Sequence, residues 1–362
     1  MKILELSPSL APGGAERFTV DLSNELAKNN DVHLLVMRKY RNSMFYKDDV
    51  SEKVHIIFGD GKLTKVSKIL QLFVALLYVM RIKPDVVHAH TVGINWLLLP
   101  SLLYPHAKYF FTIHNLAEKE CTTKIGYYLR KFLFKRNVVP VVISETCQES
   151  FYKYYGFHCN HVIMNGCRDV SFSKDMNECI NTIDKFKKNP STKVFVNVAR
   201  IMPQKNQQLL IRAFNDFVRR GFNAILLIIG DYERFPQAKK TLDSLIDNEN
   251  IHFLGTRNNV PDFLKNSDFF CLSSAWEGLP ISLLEAGLSG CYPLSTPAGG
   301  VVDVILSDKW GRLAEDFSVE SYLQLLIKAF NLQYDKAEVR KMYEDKFLMK
   351  HCGFNYMNLF NS

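Results

Sequence analysis

Six consecutive apolar side chains, Ala224 to Ile229, closed by Gly230, limit most strongly what this chain can fold into. A run that short and that uniformly apolar reads as a strand buried on both faces, the situation of a parallel sheet with helices packed on each side. The same grammar recurs along the chain. In the first half Lys2–Leu6, Val32–Val36, Asp85–His90, Tyr109–His114 and Pro140–Ser144 read as strands, and Phe18, Leu22 and Leu26 mark a helix between the first two. In the second half Val194–Val198, Ala224–Gly230, Ile251–Gly255, Asp268–Leu272 and a strand ending at Leu294–Thr296 repeat the pattern. Between two of these, Gln207–Arg219 is a helix with Leu209, Leu210, Ala213, Phe214 and Phe217 as its apolar residues. Strands alternating with helices predict an α/β protein.

At 362 residues there is room for two domains of ordinary size. The polar, strandless stretch Asp169–Asn189 separates the two series, and Glu338–Leu359 reads as a closing amphipathic helix. The expected partition is 1–170, a linker at 171–190, 191–340, and a C-terminal helical segment at 341–362. A hydrophobic content of 47% and a charged content of 23% describe a soluble globular chain. Met1–Leu6 runs straight into a strand pattern and lacks the apolar core of a secretory leader. The eight cysteines form no Cys-x-x-Cys pair and no zinc-finger spacing, so they read as reduced thiols. Ile69–Met80 is the longest apolar stretch, too short to span a bilayer, and reads as a buried helix.

The net charge of +8 is uneven: residues 1–180 hold 23 Lys and Arg against 17 Asp and Glu, the remainder 22 against 20. A basic half suits an anionic partner. No aromatic–basic RNA motif supports nucleic acid. Lys124–Arg136 mixes five cations with aromatics in helical order, which leaves two readings open: contact with anionic lipid on the inner leaflet, or an ordinary helix with its aromatics packed inward.

Chemistry-bearing residues gather at the ends of the expected strands, where open α/β sheets bind ligands. Glu277 and Glu285 lie eight positions apart across Gly278-Leu279-Pro280-Ile281, a turn that opens a helix with Pro280 in its first turn. Free N–H groups at such a helix start attract anions, and carboxylates bind hydroxyls. Arg200 and Lys205 follow the first strand of the second half, where two cations can stabilise a departing diphosphate. Gly13-Gly14 form a turn after the first strand, and Ser144 is placed to cap a helix. His88 and His90 share one side of a strand, with no third metal ligand at a suitable spacing.

With its flanking residues, Glu277-Gly-Leu-Pro-Ile-Ser-Leu-Leu-Glu285 resembles the Glu-x7-Glu signature of the retaining GT-B glycosyltransferases of family 4, the glycosyl transferases group 1 type. The resemblance covers nearly the whole chain and is densest from Asn197 to Asp303. It implies the GT-B architecture: two Rossmann-like domains with parallel sheets facing across a cleft, the first binding the acceptor, the second the nucleotide-sugar donor, and the C-terminal helix packing back on the first. It implies that Glu277 contacts the transferred sugar, that Glu285 binds the ribose hydroxyls, and that the backbone from Gly278 through Leu279 and Pro280 to Ile281 lies near sugar and phosphate. By the same resemblance Arg200 and Lys205 are expected to grip the diphosphate in place of a metal, and His114 to lie near the reacting carbon. Gly13, Gly14 and Gly230 are expected to border the donor, and Asn165-Gly166 to form a turn beside it. Tyr232 stands where the family often has a second glycine, and Asp303 where it usually has Glu, so donor choice does not carry over.

The implied activity is a metal-independent, retaining hexosyl transfer from a nucleotide-diphosphate sugar, UDP-sugars favoured, without a cofactor. The implied acceptor is a glycan, expected to be lipid-linked, in surface polysaccharide (capsule or O-antigen) biosynthesis in the cytoplasm. Peripheral membrane contact is the reading that the basic first half and Lys124–Arg136 favour, beside the alternative of an ordinary helix. Two alternatives share the architecture: a non-catalytic partner subunit, and a nucleotide-sugar epimerase, which generally lacks the Glu-x7-Glu arrangement.

Overall fold

The computed structural model describes residues 1–38, 44–59, 68–174, 176–232 and 235–362. The chain forms two compact units: Met1–Arg168 with Phe347–Ser362, and Asp169–Lys346. Unit 1 contains β1 (Lys2–Ser7), α1 (Gly14–Leu26), β2 (Asp31–Val36), β3 (Val54–Phe58), α2 (Lys68–Ile82) and β4 (Val86–His90). It continues with α3 (Leu98–Leu103), β5 (Lys108–Ile113), α4 (Ala117–Glu120), α5 (Lys124–Phe134), β6 (Val138–Val142) and α6 (Glu145–Tyr155). Unit 2 contains α7 (Asn177–Asp184), β7 (Lys193–Val198), α8 (Gln207–Arg219), β8 (Ala224–Ile229), α9 (Pro236–Asp243), β9 (Ile251–Gly255) and α10 (Val260–Lys265). Then come β10 (Phe269–Leu272), α11 (Ile281–Leu288), β11 (Tyr292–Ser295), β12 (Arg312–Leu313), α12 (Val319–Phe330) and α13 (Lys336–Phe347), and α14 (Met349–Asn361) closes the chain within unit 1.

Among the described residues each unit holds a six-stranded sheet, in the orders β3-β2-β1-β4-β5-β6 and β12-β11-β10-β7-β8-β9. Every pairing is parallel. Burial follows the sequence pattern. All six residues of β8 are buried, as a strand covered on both faces requires. Phe18, Leu22 and Leu26 of α1 are buried, and so are the five apolar residues of α8, where Phe214 and Phe217 meet Phe195 edge-on. Ser144 caps α6 by accepting a hydrogen bond from the Cys147 N–H at 3.1 Å. All eight cysteines are free and buried.

Four sequence expectations are corrected. The Ile69–Met80 helix is not buried all round: α2 exposes Ile69, Leu70, Phe73, Leu77 and Met80, a stripe at helical spacing. Two strands had escaped notice. β3 is half-exposed over most of its length and β12 has only two residues, so neither carries a run of buried apolar side chains. The closing helix is two helices: Leu348 takes extended backbone between α13 and α14, where Cys167 N donates to Phe347 O at 2.8 Å and Met349 N donates to Cys167 O at 2.7 Å. Pro280 precedes α11 with φ −74° and ψ 122°, so it caps the helix from outside its first turn. Within unit 2, α7 buries Cys179 and Ile183 and packs on α10. Asp175 of the expected linker lies outside the described residues.

Candidate active site

In unit 2 the loops after β7 and β10 are stitched together. The Ala275 N–H donates to Gln204 O at 2.8 Å, and Ser273 Oγ donates to Lys205 O at 3.0 Å. These bonds bring Glu277 to the side chains of the β7 loop. Glu277 Oε1 accepts from Lys205 Nζ at 2.6 Å and from Ser274 Oγ at 2.5 Å, and Oε2 accepts from Gln204 Nε2 at 3.3 Å. The ion-paired side chains are only 15% and 6% exposed. A carboxylate this buried is tolerable because a charge and two neutral donors compensate it. Lys205 sits at the end of a 3₁₀ turn, Pro203–Lys205, which Asn206 closes in the left-handed conformation at φ 45°.

Gly299 locks the other side of Glu277. Its φ is +55°, and a Cβ there would lie 2.0 Å from the Glu277 carbonyl oxygen, so only glycine fits. Gly278, Leu279, Pro280 and Ile281 are buried at the start of α11, and Glu285 is half-buried one turn in. Arg200 is half-buried, and its guanidinium makes no hydrogen bond or ion pair with a described residue. Gly230 lies against the same loop: a Cβ at Gly230 would meet Ala199 O at 1.9 Å. Tyr232 turns toward Gly255, with Lys239 Nζ 5.3 Å from its ring centroid and 4.1 Å from that of Phe253. The structure therefore gathers Lys205 and Glu277 directly, keeps Arg200 on the same loop as Lys205, and sets Gly230, just after β8, against that loop. Gln204 and Ser274, which complete the Glu277 cradle, carry no signal in the sequence beyond lying next to Lys205 and three residues before Glu277.

In unit 1, Gly13 precedes α1 and Gly14 is its first residue, with Arg17 N donating to Gly13 O at 2.9 Å. Gly166 packs so tightly on α14 that a Cβ would meet Cys352 Cβ at 2.7 Å. His114 follows β5 directly and is half-buried, edge-on to Phe18 at 5.2 Å between ring centroids. Behind it runs a hydrogen-bonded chain. His114 Nε2 lies 2.9 Å from His90 Nδ1, and His90 Nε2 lies 2.8 Å from Glu5 Oε2. His88 Nδ1 is 3.1 Å from the same oxygen, while His88 Nε2 is 2.8 Å from Thr112 Oγ1, which is 2.7 Å from the Tyr356 hydroxyl on α14. Glu5, His88, His90 and Thr112 are fully buried.

Glu5 is thus a third donor beside His88 and His90, which their spacing in the sequence could not show. The β1–β4 register sets Glu5 directly against His88. One signal was present: a carboxylate between leucines in an apolar strand. A His₂Glu set is one that a divalent metal can take. Here the atoms face one another at hydrogen-bond lengths, 2.8 and 3.1 Å. Burial pushes the Glu5 carboxyl up, but its interactions with His88 and His90 outweigh this and hold it at about 2. Burial pushes His90 down to about 4, aided by His88. Burial, then His90 and His88, push His114 well below its ordinary value.

Comparison with known proteins follows the same division. Residues 12–169 match the model of the family "Glycosyltransferase Family 4", and residues 180–346 that of "Glycosyl transferases group 1". The capsular polysaccharide biosynthesis glycosyltransferase CapH of Staphylococcus aureus is 25% identical over 100% of this chain and 95% of its own length. The Escherichia coli UDP-Gal:alpha-D-GlcNAc-diphosphoundecaprenol alpha-1,3-galactosyltransferase is 29% identical over 46% of this chain. Of that relative's length 42% is aligned, and some other relatives likewise align over less than half of their length. Among solved structures, Anabaena Alr3699/HepE in complex with UDP and glucose superposes with a TM-score of 0.81 at 17% identity, covering 100% of this chain and 99% of that one. The shared fold is GT-B.

Proposed function

Since the chain belongs to the group 1 and family 4 glycosyltransferases of GT-B fold, we propose that it transfers a hexosyl group from a nucleotide-diphosphate sugar, a UDP-sugar by preference, with retention and without a metal. The acceptor is a glycan on a lipid carrier, and the product a surface polysaccharide such as a capsule or O-antigen. The observation that carries this reading is the buried Lys205–Glu277 pair, cradled by Ser274 and Gln204, with Arg200 on the same loop as Lys205 and its guanidinium without a described partner.

Leaving-group departure breaks the bond between the anomeric carbon and the phosphate oxygen and puts negative charge on the diphosphate. Arg200 and Lys205 stabilise that charge, the work a metal does elsewhere. The acceptor hydroxyl forms the new bond on the same face, and its proton passes to the leaving phosphate oxygen. Glu277 holds the transferred sugar, Glu285 the ribose hydroxyls, and the free N–H groups at the start of α11 receive phosphate. Gly13, Gly14 and Gly230 let backbone approach the donor, and His114 of unit 1 supplies a hydrogen bond to the transferred sugar. Relatives named for capsule synthesis and for a diphosphoundecaprenol acceptor support the substrate class.

Among the described residues no helix is long and apolar enough to cross a membrane. In our reading the lipid-linked acceptor is met at the membrane surface, on the cytoplasmic face. α5 suits this: Ile125, Tyr128 and Phe132 are 84%, 69% and 40% exposed at helical spacing, beside exposed Lys124, Lys135 and Arg136. Its other aromatics turn inward, with Tyr127 stacked on Tyr155.

The test is donor hydrolysis and thermal shift across UDP-, GDP- and ADP-sugars with EDTA present. One donor that raises the Tm and is slowly cleaved identifies the sugar and supports metal independence. Loss of cleavage with EDTA and its return with a divalent ion would refute that part. No response to any donor would favour a non-catalytic partner subunit.

A further inference from the structure

The hydrogen-bonded chain behind His114 is fully buried over five of its six members, and its polarity can be worked out from one end. An ionised carboxylate only accepts. His90 Nε2, 2.8 Å from Glu5 Oε2, must therefore carry a proton. Complete burial keeps the His90 imidazole neutral, so its Nδ1 is a lone pair. His114 Nε2, 2.9 Å from that lone pair, must donate. His114 is neutral too, which leaves Nδ1 without a proton, and Nδ1 makes no hydrogen bond with a described residue.

The other arm closes consistently. His88 Nδ1 donates to Glu5, His88 Nε2 accepts from the Thr112 hydroxyl, and Thr112 accepts from Tyr356. Apart from His114 Nδ1, every ring nitrogen of the chain then has a partner, with the Glu5 carboxylate as acceptor of both arms. Reversing the first arm would require a buried imidazolium at His90 or a protonated Glu5, and burial of His90 and the pull of both histidines on Glu5 oppose these.

We propose that Glu5 and His90 are positioning residues that fix His114 with its proton on Nε2, so that a bare Nδ1 accepts a hydrogen bond from a hydroxyl of the transferred sugar. The proposal rests on the assignment of His114 to the donor sugar made above. It adds a specificity rule. An acceptor nitrogen rewards a hydroxyl at the position it faces and rejects a carboxylate or a missing hydroxyl there. A metal held by Glu5, His88 and His90 would give the opposite outcome. His90 Nδ1 would then carry the proton and donate to His114 Nε2, moving the His114 proton to Nδ1. Ligands around a tetrahedral zinc sit roughly 3.3 Å apart, wider than the 2.8 Å between His90 and Glu5.

Long-range ¹H–¹⁵N spectra of the full-length, ¹⁵N-histidine-labelled protein test this, with His114 assigned from a His114→Asn sample. The expected result is Nε2 protonated and Nδ1 bare from about pH 6 to 8. A proton on Nδ1, or a stoichiometric metal in the purified protein, overturns the proposal. In Glu5→Gln the single amide oxygen serves only one imidazole, so His114 should become a mixture of tautomers and kcat/KM should fall about tenfold. That loss should vanish in a His114→Ala background, because a positioning residue acts through its partner. An equal loss there overturns the positioning role. If Glu5→Gln does not fold, the wild-type spectrum still decides. Full turnover in His114→Ala alone would instead sink the assignment of His114 to the site, a failure distinct from a wrong tautomer.

Discussion

Acidifying the protein from pH 7 to pH 5 should weaken unit 1 by about 2 kcal/mol through His90 alone. The magnitude follows from burial. His90 is fully buried between Glu5, His88 and His114, and its folded value is about 4 against 6.5 for the free side chain. Between those two values the unfolded chain binds a proton that the folded chain refuses, so stability rises with pH across that window and is lost as pH falls through it. His114 acts in the same direction. Glu5, held at about 2 in the fold, adds a further loss only as pH falls from 4.5 toward 2. The remaining groups facing the cluster are Thr112 on β5, Tyr356 on α14, whose hydroxyl burial and Cys352 push well above its ordinary range, and Glu120, which accepts from the His114 N–H at 2.6 Å. The first two do not titrate between pH 5 and 7; burial pushes the Glu120 carboxyl up, which opposes part of the loss.

Of the three tryptophans, Trp96 is buried in unit 1 and Trp276 and Trp310 belong to unit 2. A Trp276→Phe/Trp310→Phe protein therefore reports unit 1 by fluorescence. With a urea slope of about 2 kcal/mol/M, His90 alone should lower the midpoint by roughly 1 M between pH 7 and 5. His90→Gln should shrink the total drop by that amount and leave the parts owed to His114 and His33, whose values burial also lowers. A midpoint that does not move, or moves equally in His90→Gln, refutes the burial argument.

Other expectations follow from the site and the surface. Lys205→Met should lower kcat by about 10²–10³, and Tm should also fall because Glu277 keeps only Ser274 and Gln204 as compensation; unchanged steady-state rates would remove Lys205 from catalysis. Gly299→Ala forces a Cβ onto the Glu277 carbonyl at a positive φ, and should cost about 1–3 kcal/mol by chemical denaturation. Ile125→Glu with Tyr128→Glu should abolish co-sedimentation with anionic vesicles at low salt while leaving Tm within a few degrees; retained binding would exclude α5 as the contact.

The sequence disclosed what local pattern encodes. Runs such as Ala224–Ile229 gave strands, and the flanks of Glu277 gave a family. β3 and β12 escaped because an edge strand buries little and carries no apolar run. α2 misled for the opposite reason: it is apolar nearly all round, yet one stripe faces outward, and composition does not say which side is covered. The Glu5–His88–His90–His114 chain was half legible. His88 and His90 could be paired by strand periodicity, whereas Glu5 and Tyr356 join only through sheet register and a helix from the far end of the chain. Gln204 reaches Glu277 through loop-to-loop bonds that no spacing rule anticipates, and Ser274 reaches it from three positions away in the same loop.

The position of α14 bears on how the protein is made. Residues 169–346 are contiguous and can fold as they leave the ribosome, whereas unit 1 needs residues 347–362, synthesised after them. Until then α1 lacks the helix that packs on it, and Thr112 lacks the Tyr356 hydroxyl. The first half of the chain is therefore the last to mature, and a truncation at residue 346 should leave a competent unit 2 beside a unit 1 whose histidine chain has lost its anchor.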